Sequence, residues 1–287
     1  MTSHPDVTGF FDPATATVTY LVADPATRRA AIIDPVLDYQ PNSGRTSTAS
    51  ADAVLAAVRA PGLTVDWILE THVHADHLTA APHMKKATGA PVGIGAEIVK
   101  VQKVFGGMFN NMDSVAADGR DFDRLFRDGD TFAIGGLAAR VMHTPGHTPA
   151  CVTYVIGDAA FVGDTIFMPD YGSARCDFPG GDAATLYRSV QKILSLPETT
   201  RIFVGHDYPP NGRAAAWETT VKAEKQGNIH IGGKSEAEFV AMRTARDKTL
   251  SLPNLILPSV QINMRGGKWP PAEANGVSYI KLPLNVF

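Results

Sequence analysis

The run Val18-Thr19-Tyr20-Leu21-Val22-Ala23-Asp24 is followed, across the turn-forming Asp24-Pro25, by Ala30-Ala31-Ile32-Ile33-Asp34. The same grammar returns far downstream, where Val152 to Asp158 is followed by Ala160-Phe161-Val162-Gly163-Asp164. Each copy predicts two β-rich strands joined by a turn and closed by an aspartate. A chain that repeats this unit reads as two related halves.

Helical patterns fill the space between and after the hairpins. Ala51 to Ala60 is stopped by Pro61-Gly62, Thr79 to Thr88 by Gly89, and a third helix is predicted over Glu97 to Met108. In the second half Asp182 to Leu196 is amphipathic and ends at Pro197, before a short strand over Arg201 to Gly205. Strands and helices in this order predict two mixed sheets packed together and flanked by helices, an α/β sandwich of αββα type. Trp217 to Gln226 and Ser235 to Thr249 read as helices, and the Pro/Gly-rich Leu252 to Phe287 as extended packing or an arm. With no low-complexity linker, one domain over residues 1–287 is expected, with a C-terminal extension at about 232–287.

Composition narrows the function. Lys and Arg number 26 against 29 Asp and Glu, with no long run of either sign, so neither a nucleic acid nor a membrane surface is an expected partner. The first twenty residues lack the basic flank and apolar core of a signal peptide, and no segment has the apolar length of a membrane span, so a cytoplasmic protein is expected. The two cysteines are too few for a disulfide framework. Cys151 opens an apolar strand and reads as a buried inert thiol, while Cys176 falls in a loop.

The chemistry is concentrated in THVHADH, Thr71 to His77, directly after the apolar strand Val65 to Leu69. Three more segments place a metal-capable side chain just past a strand: His143-Thr144-Pro145-Gly146-His147-Thr148, Gly163-Asp164-Thr165 and Gly205-His206-Asp207-Tyr208, with Asp34 as an outlier. Loops at strand ends are anchored yet free to aim side chains into one cleft. His72 and His74 alternate around Val73 and so share a side, while Asp76 and His77 sit where the loop turns toward the next helix. So many imidazoles and carboxylates in one cleft are unfavourable without a cation, and they suit zinc, iron or manganese. His4 and His230 lie in polar, irregular stretches and are expected at the surface, His83 faces away along its helix, and His143 orients the Thr144-Pro145-Gly146 turn.

Together HxHxDH, TPGHT, GDT and GHD resemble the metallo-β-lactamase fold family over roughly Val18 to Tyr208. In the two-metal hydrolases of that family the resemblance implies His72, His74 and His147 on one zinc ion, Asp76, His77 and His206 on the other, and Asp164 as a bridge. That alternative is a glyoxalase II-like hydroxyacylglutathione thioester hydrolase with two Zn2+.

Arg175-Cys176-Asp177-Phe178, Thr185-Leu186-Tyr187, His206-Asp207-Tyr208 and Thr219 to Lys225 make the chain more similar to the persulfide dioxygenases, in a longer, bacterial form. This resemblance implies one Fe2+ per chain held by His72, His147 and Asp164, a triad that leaves positions for O2 and a thiol persulfide. His74, Asp76, His77 and His206 would then hydrogen-bond ligands, water or substrate. Tyr208 and His206 would act at the reacting atoms, and Arg175 would pair with a glutathione carboxylate. The implied reaction converts glutathione persulfide, O2 and water to sulfite and glutathione, in a homodimer or higher homo-oligomer. The insertion Lys103 to Arg120, with Phe105, Met108, Phe109 and Met112, either walls the pocket or packs in the core.

Overall fold

The computed structural model describes residues 4–286. Both predicted hairpins are present: Thr17–Asp24 pairs antiparallel with Arg29–Ile33, and Val152–Ile156 with Ala159–Phe161. In each copy the second strand then takes a parallel neighbour, Thr64–Leu69 in the first half and Arg201–Phe203 in the second. The repeat is therefore one of topology as well as of sequence, and Asp34 and Asp164 occupy corresponding places just past the second strand.

Each hairpin belongs to a six-stranded sheet. The first runs Asp6–Asp12, Thr17–Asp24, Arg29–Ile33, Thr64–Leu69, Val92–Gly95, Arg124–Phe126 from edge to edge. The second runs Thr131–Ile134, Leu137–His143, Val152–Ile156, Ala159–Phe161, Arg201–Phe203, Glu218–Thr220. A small sheet of Arg45–Ser47, Val36–Gln40 and Leu78–Thr79 flanks the metal-capable loop.

The period of two along a strand separates the packing layers. Val18, Tyr20 and Val22 meet Tyr154, Phe161 and Phe203 between the sheets, while Leu21 and Ala23 of the same strand face an outer helical layer. Tyr20 is edge-on to both Phe161 and Phe203, and its hydroxyl donates to the Val204 carbonyl at 2.5 Å, so this buried phenol is satisfied. Helices Ala49–Arg59, Ala81–Thr88, Ile98–Met108 and Ile256–Asn263 cover the first sheet. Ala183–Leu194, Val221–Gly227 and Glu236–Asp247 cover the second. The expected αββα sandwich is the architecture found.

Three expectations change. Trp217 to Gln226 is not one helix: Glu218–Thr220 is an edge strand, and the helix Val221–Gly227 begins where Thr220 caps it by accepting from Ala223 N at 3.1 Å. Leu252 to Phe287 is not wholly extended, because Ile256–Asn263 is helical and almost entirely buried. Phe105 and Phe109 of the 103–120 insertion pack in the outer core of the first sheet, which favours the core account over the pocket wall. Among the described residues no helix is long and apolar enough to cross a membrane.

Candidate metal centre

The four strand-end segments converge at one end of the sandwich, where the two sheets meet. Residue 72–77 follows strand Thr64–Leu69, His147 follows Leu137–His143, Asp164 follows Ala159–Phe161, and His206 follows Arg201–Phe203. A backbone bridge between Thr17 and His206 closes the seam. His72, His74, His77, His147, Asp164 and His206 are all buried, and Asp76 is partly so.

Hydrogen bonding fixes which nitrogen of each ring is bare. His147 Nδ1 lies 2.8 Å from the Arg175 carbonyl, which can only accept, so Nδ1 carries the proton and Nε2 the lone pair. Thr71 Oγ1 donates to Asp34 Oδ2 at 2.7 Å and so receives from His72 Nδ1 at 3.0 Å, which again leaves Nε2 bare. His77 Nδ1 faces Asp76 Oδ2 at 3.1 Å, and His206 Nδ1 lies 3.4 Å from Thr17 Oγ1, a hydroxyl that donates to Asp76 Oδ2. The Nε2 atoms of His72, His77 and His206, and Asp164 Oδ1, are buried without a hydrogen-bond partner among the described residues. Buried polar atoms are ordinarily paired, so this clustering of bare lone pairs fits a cation.

Distances support the same reading. Asp164 Oδ2 lies 3.9 Å from His72 Nε2 and 3.8 Å from His147 Nε2. These are too long for hydrogen bonds, yet two ligand bonds of about 2.1 Å can span them. His72, His147 and Asp164 form one group able to hold an ion, and His74, Asp76 and His206 form another. The bare nitrogens, the carboxylate charge and the burial fit a metal at this place.

His74 is differently placed. Its Nε2 lies 3.0 Å from Asp34 Oδ1 and 3.6 Å from Glu70 Oε2, while Nδ1 has no hydrogen-bond partner among the described residues. Burial opposes charge on this ring, but Asp34 and Glu70 outweigh it and hold its pKa well above the usual histidine value. His72 moves the other way: burial, then the neighbouring His74 and His147, keep it neutral. Asp76 stays ionised despite burial because His206 and His77 face it.

A cavity of about 480 Å³ opens beside the cluster, lined in part by His147, Asp164, Phe167, Arg175 and Tyr208. Tyr208 stacks on His206 with ring centroids 5.7 Å apart; the residue is 37% exposed, yet desolvation of its remainder with the nearby Asp76 and Asp164 raises its pKa, so the phenol keeps its proton. Arg175 is already engaged: Nε and Nη2 donate to the two oxygens of Asp177, each at 2.7 Å, and Nη1 to Ser251 O. A substrate carboxylate would have to displace Asp177.

The other singled-out residues fall into place. His143 Nε2 meets Pro149 O at 2.9 Å across the TPGHT turn, and His83 points outward to Asp52 at 2.8 Å. His4 is exposed, but His230 is not: it is buried against Gly172 and receives a hydrogen bond from Ser173 N at 2.9 Å. Its short, Gly-flanked, irregular stretch of sequence concealed a fold-back onto the loop 168–174. Both cysteines are buried, and burial pushes each thiol up to about 12, so neither is a ready nucleophile. Sequence reasoning passed over Thr17, Thr71 and Glu70; Thr71 and Glu70 stand immediately before His72, and that adjacency was the available signal.

Comparison with known proteins points the same way. The model of the metallo-beta-lactamase superfamily matches residues 12–206. A probable metallo-hydrolase of Burkholderia pseudomallei is 58% identical over 97% of this chain and 99% of its own. A beta-lactamase hydrolase-like protein of Xylella fastidiosa is 55% identical over 98% of this chain, which spans 65% of that longer protein. Glyoxylase B2 of Dictyostelium discoideum is 50% identical over 94% of each chain. The mitochondrial persulfide dioxygenase ETHE1 of Bos taurus is 34% identical over 91% of this chain and 89% of its own. Among solved structures, ETHE1 from Myxococcus xanthus aligns with a TM-score of 0.73 at 32% identity, covering 92% of this chain and all of that one.

Proposed function

The chain belongs to the metallo-beta-lactamase superfamily, and from that premise we propose that it is an iron-dependent persulfide dioxygenase converting glutathione persulfide, O2 and water to glutathione and sulfite. The observation that carries the reading is the separate grouping of His72, His147 and Asp164, with His72 and His147 each locked in the tautomer that bares Nε2. Two histidines and one carboxylate suit non-haem Fe2+, which when bound supplies open positions for O2 and a thiol persulfide.

The chain's own groups do the rest. Thr71 Oγ1 and the Arg175 carbonyl hold the His72 and His147 rings in orientation. Tyr208, protonated at neutral pH, offers a donor on the cavity wall, and His206 behind it holds a proton on Nδ1 against Thr17. His74, Asp76 and His77 order water at the floor. Arg175 braces the cavity through Asp177 and meets the thiol carrier's carboxylate by exchanging that partner. The proposal includes one folded unit per chain, a homo-oligomer and a cytoplasmic location.

A second reading has its own support. His74, Asp76 and His206 make a second group, His77 Nε2 is bare beside it, and the more similar relatives carry hydrolase or glyoxylase names. On that reading the chain is a two-zinc thioester hydrolase. Metal analysis of protein purified anaerobically with iron, together with oxygen uptake on adding glutathione persulfide, separates the two. One iron per chain with sulfite formation is expected; two zinc ions, no oxygen uptake and rapid thioester cleavage would overturn the dioxygenase.

A further inference from the structure

The match to the family stops at residue 206, yet two helices beyond it grip the backbone of the loops that carry the candidate ligands. We infer that helices Glu236–Asp247 and Ile256–Asn263 are part of the metal centre, with Asn263 and Asp247 as positioning residues; the inference rests on His72 and His147 being ligands.

Asn263 is buried at the end of its helix. Its Nδ2 donates to the carbonyls of His74 at 2.9 Å and His77 at 2.7 Å, and its Oδ1 accepts from Thr79 N at 2.9 Å. One carboxamide thus spends both donors and an acceptor on a six-residue stretch of main chain. Its first part needs it, because among the described residues no backbone–backbone hydrogen bond joins 72–77 to any neighbour. Without Asn263 the HxHxDH loop would be held only at its two ends and through its own side chains.

Asp247 acts on the opposite wall. It forms a buried ion pair with Arg243, Nη2 to Oδ1 2.5 Å, and its Oδ2 accepts from Cys176 N at 3.0 Å. Arg243 Nη1 donates to Ser173 O at 3.2 Å. The pair therefore pins the peptide groups on both sides of Ala174-Arg175, and the second of these, Arg175–Cys176, carries the carbonyl that receives His147 Nδ1. A buried ion pair adds little net stability. What it fixes here is the direction of one carbonyl, and through it the direction of His147 Nε2.

The test compares variants of the full chain as metal-free protein, titrated with Zn2+ against a chromophoric chelator and melted thermally. Asn263→Ala and Asp247→Asn are expected to weaken zinc binding by about 10- to 100-fold, the usual cost of losing a group that orients a ligand. Gln261→Ala is the control: this carboxamide is buried in the same helix but, among the described residues, bonds only Leu257 and Lys281. It should lower the melting temperature and leave zinc affinity unchanged. Asn263→Asp, which keeps the size and loses both donors, replaces the alanine variant if that one does not fold, and Arg243→Lys should recover part of the affinity lost in Arg243→Ala. Equal affinity in wild type, Asn263 and Asp247 variants would overturn the inference, as would an equal loss in Gln261→Ala. A wild-type chain that binds no zinc would overturn the ligand reading itself.

Discussion

Gly146→Ala is a sharp single perturbation of this fold. Gly146 has φ +137, a region that residues with a Cβ avoid, and it precedes His147 in the TPGHT turn. An added Cβ would stand 2.3 Å from Leu186 Cα and 2.5 Å from Leu186 N. Those are backbone atoms of helix Ala183–Leu194, so no side-chain rotation relieves the clash. The helix would have to retreat by about 1 Å to restore ordinary contact. It is not free to do so, because Asp182 N bonds Gly146 O at 2.9 Å and Ser189 Oγ bonds Pro145 O at 2.5 Å. Backbone strain of about 2 kcal/mol and overpacking of a similar size together cost about 4 kcal/mol, a fall of roughly 10 °C in melting temperature. Thermal melting of the metal-free protein reads this directly, and zinc titration should show weakened binding because His147 shares the displaced turn. A variant that melts within about 2 °C of wild type and keeps its zinc affinity would refute the steric reasoning.

Two further outcomes follow from the core and from His230. Phe203→Ala should cost about 4 kcal/mol in urea unfolding, since this ring stacks on Phe161 at 5.0 Å and meets Tyr20 edge-on at 5.5 Å; a loss below about 1 kcal/mol would contradict the packing. Burial, then Arg243, lowers His230 to about 4, while the unfolded chain takes its proton near 6.5, so the folded state binds fewer protons between those values. Stability should therefore fall as pH drops through that window, at up to about 1.4 kcal/mol per pH unit. The difference between wild type and His230→Gln should follow that slope, and a difference independent of pH would show that His230 does not titrate there.

What the sequence revealed and what it hid have physical reasons. The hairpins, the helices of both halves and the αββα layering were readable because Val18, Tyr20 and Val22, like Val152 and Tyr154, alternate with a period that one local window contains. The convergence of His72, His147, Asp164 and His206 was readable because each follows a strand directly. The opening strand Asp6–Asp12 was missed, since its partly buried residues carry no clear alternation. The helix Ile256–Asn263 was missed because it is buried on nearly every side, mixes Ser259, Gln261 and Asn263 with its apolar residues and contains Pro258, so it shows no amphipathic stripe. Asn263 could not have been found at all from local pattern: it meets residues more than 180 positions earlier. Engagement of Arg175 by Asp177 is likewise a matter of rotamer, which spacing alone does not report.

The spread of the cluster along the chain has a consequence for how the protein comes into being. A chain growing from its N-terminus completes His72 long before His147 and Asp164, and the Thr17–His206 bridge that closes the seam can form only when both sheets have docked. Closing so long a loop is slow and late. The nascent first half holds His72, His74 and His77, but none of the ligand-capable groups that follow the strands of the second sheet. A site built from all four strand ends is therefore complete only once both sheets have docked, so an ion held there is selected by the folded cleft rather than by the growing chain.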